Sequence, residues 1–305
     1  MQPSLALKLN ILLHLFLVYI SWGTTYIGFK LTLQVVGPFF ACGFRMFFGG
    51  LLLALILLAL GRWPKISLDD LRHAAWAGIF LVVVASGFLS FGQQYLPSGV
   101  AAIIVGSTPI SMILAGWLFA GEERPNWVQV LGLIGGSIGL LLLASEQYQT
   151  TTLGAKSLLG ILFVLLATFG WVAGSLLIKR FPRPNPLPPL EDTALLLLVG
   201  GLESLLIGLC SGEATAIYLD RLDLTTFLAF SWMVVGGSIF AYACYFWLLQ
   251  HVSIAVAVSY EYVVPVIGLF CGWLICDEPI SRQMIIACSI SIGSVFLVIH
   301  HKHNR

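Results

Sequence analysis

Ten apolar runs follow one another along this chain, each close to the length a helix needs to cross a lipid bilayer. About 20 predominantly apolar residues span the hydrocarbon core. The runs lie at about 10–33, 38–60, 74–95, 97–119, 126–144, 157–178, 192–211, 226–249, 252–275 and 281–299. Together they take up most of the 305 residues, and the connections between them leave no room for a soluble domain. Only 10% of the residues are charged, whereas a soluble domain carries roughly 25%. The mean hydropathy of +0.97 makes the lipid bilayer the predicted partner of most of the surface. The expected fold class is therefore an all-α integral membrane protein with ten transmembrane helices.

Charge narrows the class further. A formal net charge of +1 supplies no basic excess to neutralise phosphates, so no nucleic-acid partner is expected. Six cysteines are scattered through apolar segments without a CxxC pair, and they read as small buried hydrophobes rather than a metal site. The tail HHKHNR reads as a solvated basic end in preference to a metal ligand set, and neither metal nor cofactor is expected. The N-terminal apolar run has no small-residue cleavage site after it and reads as a retained span. The connection 179–191, KRFPRPNPLPPLE, contains prolines that forbid a helix and favour a semi-rigid extended link.

Lysine and arginine set the expected orientation. With the N-terminus inside, the inner side receives Lys8, Arg62, Lys65, Arg72, Arg124, Lys179, Arg180, Arg183, Lys302 and Arg305. The outer side receives only Lys156, Arg221 and Arg282. This bias predicts a multi-pass plasma-membrane protein, of a bacterial inner membrane, with both termini cytoplasmic.

The two halves of the chain resemble each other. LPSGVAAIIVGSTPISMILAGWLFAGE (96–122) aligns without gaps on VSIAVAVSYEYVVPVIGLFCGWLICDE (252–278), matching Pro109 to Pro265, Trp117 to Trp273 and Glu122 to Glu278. Trp76 meets Trp232 at the same offset. After a seven-residue shift, WGTTYIGFK (22–30) meets WVAGSLLIK (171–179), which pairs Trp22 with Trp171 and Lys30 with Lys179. Each half holds five spans. Because five is odd, the second half enters the membrane from the opposite side, which is an inverted-topology repeat. The expected organisation is two five-helix repeats, 10–144 and 157–300, followed by a cytoplasmic tail, 301–305.

WGTTY in the first span, FRMFFGG around Arg45, QQYLPSGVAAIIVGSTPI across the third and fourth, and SYEYVVPVIGLFCGW followed by DE carry a family resemblance. The chain resembles the drug/metabolite transporter superfamily, specifically its EamA-type ten-helix members, over nearly its whole length. The resemblance implies two EamA units, a cytoplasmic N-terminus and secondary transport, often export, of small metabolites. The sequence departs from the family pattern at Glu261, so the resemblance assigns that residue no role.

Four charges fall within the spans: Lys30, Arg45, Glu203 and Glu261. A charge at the bilayer centre costs about 2.5–3.5 kcal/mol on insertion scales, so each should face the bundle interior or water. Lys30 lies near the outer end of its span, where it either snorkels to the interface or presents a cation to an outer vestibule; Trp22, Tyr26 and Lys30 share one helix flank. Lys179, its counterpart, reads as an interfacial anchor. Arg45 either ties helices together or binds an anionic group of the substrate. Glu203, in LVGGLESLLIG, sits among glycines that suggest close helix contact, and an ion pair with Arg45 would make both charges tolerable.

Glu261 stands out because the first half has Val105 at its position, whereas the following prolines, Pro109 and Pro265, are shared. Pro265 removes the N–H that would bond the Glu261 carbonyl, so both prolines are expected to kink their helices. A carboxylate here is equipped to exchange a proton or to pair with a cationic substrate. Tyr260 and Tyr262 flank it, and with Trp22, Tyr26, Tyr242 and Tyr245 they offer aromatic walls for a flat or cationic ligand. The other reading of each aromatic is packing or an interfacial belt, and it is the better one for Trp63, Trp76, Trp117, Trp127, Trp232 and Trp273. GLIGGSIG (132–139) holds overlapping GxxxG patterns that permit close helix crossing.

The expected function is a secondary transporter, working as an exporter of a small organic metabolite (an amino acid or drug-like compound) by alternating access. Protons are the candidate coupling ion, and the working unit is a monomer or homodimer. The competing class is a membrane-embedded enzyme acting on a lipid or lipid-linked group. No GxxxxGK[ST] loop is present to bind ATP, and no GxSxG, HExxH or paired acids within a span supply hydrolytic chemistry, so no catalytic residue is expected.

Overall fold

The computed structural model describes residues 5–96, 101, 104–148, 156–181, 183, 185–276 and 280–300. Its helices are α1 (Leu5–Thr32), α2 (Pro38–Ala59), α3 (Leu68–Gly92), α4 (Thr108–Phe119), α5 (Trp127–Tyr148), α6 (Ser157–Arg180), α7 (Pro189–Cys210), α8 (Leu224–His251), α9 (Tyr260–Cys276) and α10 (Arg282–His300). A short helical turn, Ile254–Ala257, precedes α9. Among the described residues seven helical stretches are long and apolar enough to cross a membrane, and the apolar parts of α4, α5 and α10 are shorter. Large apolar side chains cover the outside, for example Leu12, Leu58, Phe119, Leu158, Phe169 and Phe296. That surface is stable only against lipid, so the chain is a multi-pass α-helical membrane protein.

Glycine sets how closely the helices approach. A Cβ placed on Gly50 of α2 would stand 2.5 Å from the Leu198 nitrogen of α7, and one on Gly139 of α5 would stand 2.9 Å from the Ala287 carbonyl oxygen of α10. The GLIGGSIG run therefore does lie at a tight crossing, since small residues let the backbones meet. Trp76, Trp117, Trp127, Trp232 and Trp273 are exposed on the perimeter, as their interfacial reading anticipates.

Two helices are not α-helical throughout. Ile79–Gly87 of α3 and Met233–Phe240 of α8 are π-helical, and both follow closely on the matched tryptophans Trp76 and Trp232. A π-helical stretch is uncommon and recurs at functional sites. The wider turn lets side chains reach the carbonyls: Leu81 O accepts from Ser86 at 3.1 Å, Met233 O from Ser238 at 3.2 Å and Gly237 O from the Trp22 indole at 3.1 Å.

The two proline expectations change. Pro109 does not kink a helix; it occupies the first turn of α4, after a non-helical turn at Gly106–Ser107, where its missing N–H costs nothing. Pro265 does lie inside α9. However, the chain expected as one run over 252–275 is already interrupted at Val258–Ser259, so Glu261 falls in the first turn of α9 rather than mid-helix.

One end of the bundle is fastened by ion pairs. Arg62, after α2, meets Glu191 of α7 at 3.0 Å. Arg183, in the proline-rich link, meets Asp70 at 2.8 Å and Asp192 at 2.7 Å, so the link is anchored at its middle. Ser67 and Asp70 form a reciprocal capping box at the start of α3. At the other end, Glu213 reaches back from the turn after α7 to cap α2, accepting from the Phe39 and Phe40 nitrogens at 3.1 and 2.8 Å. Burial pushes the Glu213 carboxyl above its usual value, and the two backbone donors partly offset this.

A carboxyl harder to ionise in the folded protein than in the unfolded chain contributes most at low pH, and the contribution is lost as pH rises through its folded value. Glu213→Ala is expected to lower unfolding free energy in detergent by about 1–2 kcal/mol, the usual value of a helix cap. Glu213→Gln keeps one acceptor and no charge; it should cost less and flatten the fall of stability as pH rises through the carboxyl's folded value. Denaturant titrations at several pH values check both.

Candidate functional site

The bundle centre is built of aromatic rings from four elements. Trp22 of α1 lies 5.3 Å from Trp171 of α6, 5.7 Å from Tyr242 and 5.5 Å from Tyr245 of α8, and 4.5 Å from Tyr260 of α9, centroid to centroid. Trp171 in turn lies 5.2 Å from Tyr245 and 6.0 Å from Tyr242. These tilted and edge-on arrangements are the favoured ones for aromatic pairs. Tyr242, Tyr245 and Tyr260 are buried, whereas Trp22 and Trp171 keep part of their surface accessible.

Polar groups hold the rings in place. Tyr245 shares a 2.8 Å hydrogen bond with Ser175, and Tyr242 shares one of 3.2 Å with Ser86 in the π-helical part of α3. Tyr19 shares a 2.6 Å bond with Ser259, at the interruption before α9. The Trp22 indole donates to Gly237 O in the π-helical part of α8. The Trp171 indole N–H is buried beside Tyr245.

Glu261 follows directly on Tyr260 in the first turn of α9 and keeps part of its surface accessible. It interacts electrostatically with Tyr245, Tyr260 and Tyr262. The interruption at Val258–Ser259 turns the positive end of the α9 dipole toward it, a setting that favours negative charge.

Arg45 is 3% exposed, stands over the Phe29 ring at 4.7 Å and makes no ion pair among the described residues. It interacts electrostatically with Tyr242. A Cβ on Gly237 would stand 3.5 Å from its Nη1, so the glycine that accepts from Trp22 also gives Arg45 its space. The expected Arg45–Glu203 pair is absent. Glu203 instead points at the α3–α7 contact, where one carboxylate oxygen is buried without a partner and a Cβ on Gly78 would stand 2.7 Å from it. The reason is helical register. Gly201 of α7 faces α2 at Phe47, while Glu203, two residues on, has turned toward α3.

The structure therefore brings together Trp22, Tyr242, Tyr260, Glu261 and Arg45 and leaves Glu203 apart. The side chains of Tyr26 and Lys30 lie outside the described residues. Sequence reading of the site overlooked Trp171, Ser86 and Gly237. For Trp171 a signal existed, its match to Trp22 in the other half; for the small residues there was none.

A polytopic helical bundle with an aromatic, bipolar centre is the architecture of a membrane carrier. The model of the EamA-like transporter family matches the chain twice, over residues 9–145 and 158–300, and the chain belongs to that family. It is similar to the inner membrane transporter YedA of Escherichia coli strain K12, with 29% identity over 93% of this chain and 89% of the relative. The transporter YoaV of Bacillus subtilis is 24% identical over 94% of this chain and 96% of its own length. A chloroplastic WAT1-related protein of Arabidopsis thaliana is 27% identical over 92% of this chain and 67% of its own. One solved crystal structure shares the fold with a TM-score of 0.76 at 19% identity, covering 94% of this chain and 96% of that one.

If Tyr245 is core and Trp22 is cavity wall, their truncations should differ. Tyr245→Ala, at a site with 0% exposure, is expected to cost about 3–5 kcal/mol, as large buried aromatics do. Trp22→Ala should cost clearly less, because part of the ring already faces open space. Equal losses in detergent unfolding would show that Trp22 is ordinary core.

Proposed function

We propose that the protein is a secondary transporter that exports a small organic metabolite, an amino acid or drug-like compound, across a bacterial inner membrane by alternating access. The observation that carries this is the meeting of Trp22 and Trp171, one from each family-matched half, in a ring cluster bordered by Arg45 and Glu261. Two five-helix halves of opposite topology, ten crossings in all, can rock about such a centre and present it to either side. Close packing of α2 on α7 and α5 on α10, counterparts in the repeat, supports that arrangement. The N-terminus is placed in the cytoplasm, a reading supported by the lysine and arginine distribution and by the family resemblance.

The chemistry of the wall indicates what the cargo carries. Arg45 is a cation without an ion pair among the described residues and supplies a partner for an anionic group of the cargo. Glu261 offers an acceptor for a cation or a proton, and the rings offer faces for a flat or cationic group. Counterflow of radiolabelled metabolites in proteoliposomes tests the proposal, and absence of counterflow across a broad panel would count against it. With a substrate in hand, Glu261→Gln is expected to abolish any dependence of flux on a pH gradient while the protein stays folded. Unchanged pH-driven flux in that variant would exclude Glu261 as the proton carrier.

A further inference from the structure

Alternating access requires the cytoplasmic end to open, and Lys179 is one of the side chains that hold it, beside the Arg62–Glu191 and Arg183–Asp70 pairs. Lys179, in the last turn of α6, donates to Leu249 O at 2.8 Å and to Val252 O at 3.0 Å, and lies 3.1 Å from Glu122 Oε1. An ammonium has three N–H donors, so its whole capacity is spent. The three oxygens belong to three segments: the last turn of α8, the connection to α9, and the loop after α4. Glu122 lies in the first family match, and Lys179, Leu249 and Val252 lie in the second. A single ammonium thus ties one half of the molecule to the other.

The environment suits a contact that must be broken. The side chains of Lys179 and Glu122 are 18% and 20% exposed. A fully buried pair would leave a costly naked charge on separation, and a fully exposed pair would hold little. Here solvent is close enough to take over the released groups. Glu122 also lines a cavity of about 230 Å³ with Arg124, Gln129 and Ser253. The C-terminal end of α8, with its unpaired carbonyls and negative dipole end, adds attraction for the cation.

In the sequence, both partners recur at matched positions of the opposite half: Lys30 for Lys179 and Glu278 for Glu122. The side chains of Lys30 and Glu278 lie outside the described residues. An anchor to the cytoplasmic interface alone gives no reason for that recurrence.

We propose that Lys179 and Glu122 form a clamp that keeps the cytoplasmic end shut and must part before the Trp22–Trp171 centre is reached from the cytoplasm. The proposal rests on the alternating-access reading. Lys179 is a positioning residue in it, since it does not touch the ring cluster.

Ser175 supplies the reporter. It lies one turn before Lys179 on α6, is 1% exposed and is bonded to Tyr245, so a cysteine there reacts only when the structure opens. Ser175→Cys would be placed in a background with the six native cysteines replaced and labelled with a membrane-impermeant maleimide in inside-out and right-side-out vesicles. Lys179→Gln and Glu122→Gln are each expected to raise cytoplasmic labelling by about fivefold or more, a modest coupling between two states, and to lower labelling from outside. Lys179→Arg, which keeps the cation, should stay near the parent rate. Unchanged cytoplasmic labelling in both Gln variants would overturn the clamp. Equal increases from both sides, not restored by Arg, would also overturn it, because they report general loosening. Counterflow on the same vesicles separates the two ideas. Flux with unaltered labelling removes the clamp alone, whereas altered sidedness without flux of any substrate removes the transporter reading and leaves the clamp.

Discussion

In hydrocarbon, a backbone carbonyl or amide must find its partner within the protein, and everything irregular in this molecule is arranged around that demand. Most of the chain meets it with uninterrupted α-helix. The departures next to the ring cluster are the π-helical stretches of α3 and α8 and the interruption before α9. Each is repaired by side chains: Ser86 and Tyr242 at Leu81 O, Trp22 at Gly237 O, Ser259 at Val256 O. The residues that make these repairs are the ones that hold or form the ring cluster. The site exists because the helices are locally imperfect, and the imperfections persist because the site's side chains satisfy them.

Charge is distributed by a related economy. Arg62, Arg183, Asp70, Asp192 and Glu191 pair with one another at one end, where helix starts and solvent lower the cost of ionisation. Glu213 spends its carboxylate on the first amides of α2 at the other end. Arg45, Glu203 and Glu261 are different, since none of them meets an opposite charge among the described residues. Charges left without partners inside a membrane protein mark a functional place more often than a structural one.

Composition and span length were enough to read an all-α membrane protein, because a twenty-residue apolar run in a chain this poor in charge has few alternatives. The central site was read in part. Trp22, Tyr242, Tyr260, Arg45 and Glu261 stood out as polar or aromatic residues within apolar runs, and the structure gathers them. The Arg45–Glu203 pair was misjudged, because a linear sequence does not say toward which neighbour a given turn of α7 faces. The π-helical stretches were invisible, since IFLVVVASG and MVVGGSIF satisfy a 3.6-residue period as well as a wider one. The interruption at Val258–Ser259 was hidden behind Pro265, a stronger breaker on paper and a weaker one in the fold.

Trp22 and Trp171 come from matched positions of two similar halves. The rest of the cluster does not repeat: at the offset that pairs Trp76 with Trp232, Tyr242 meets Ser86, Tyr245 meets Leu89, Tyr260 meets Ile104 and Glu261 meets Val105. The two tryptophans are therefore set in unlike surroundings, with the tyrosines and the carboxylate all contributed by the second half. A molecule lying against both tryptophans would meet different neighbours if it were turned end for end, so the centre has a built-in head and tail.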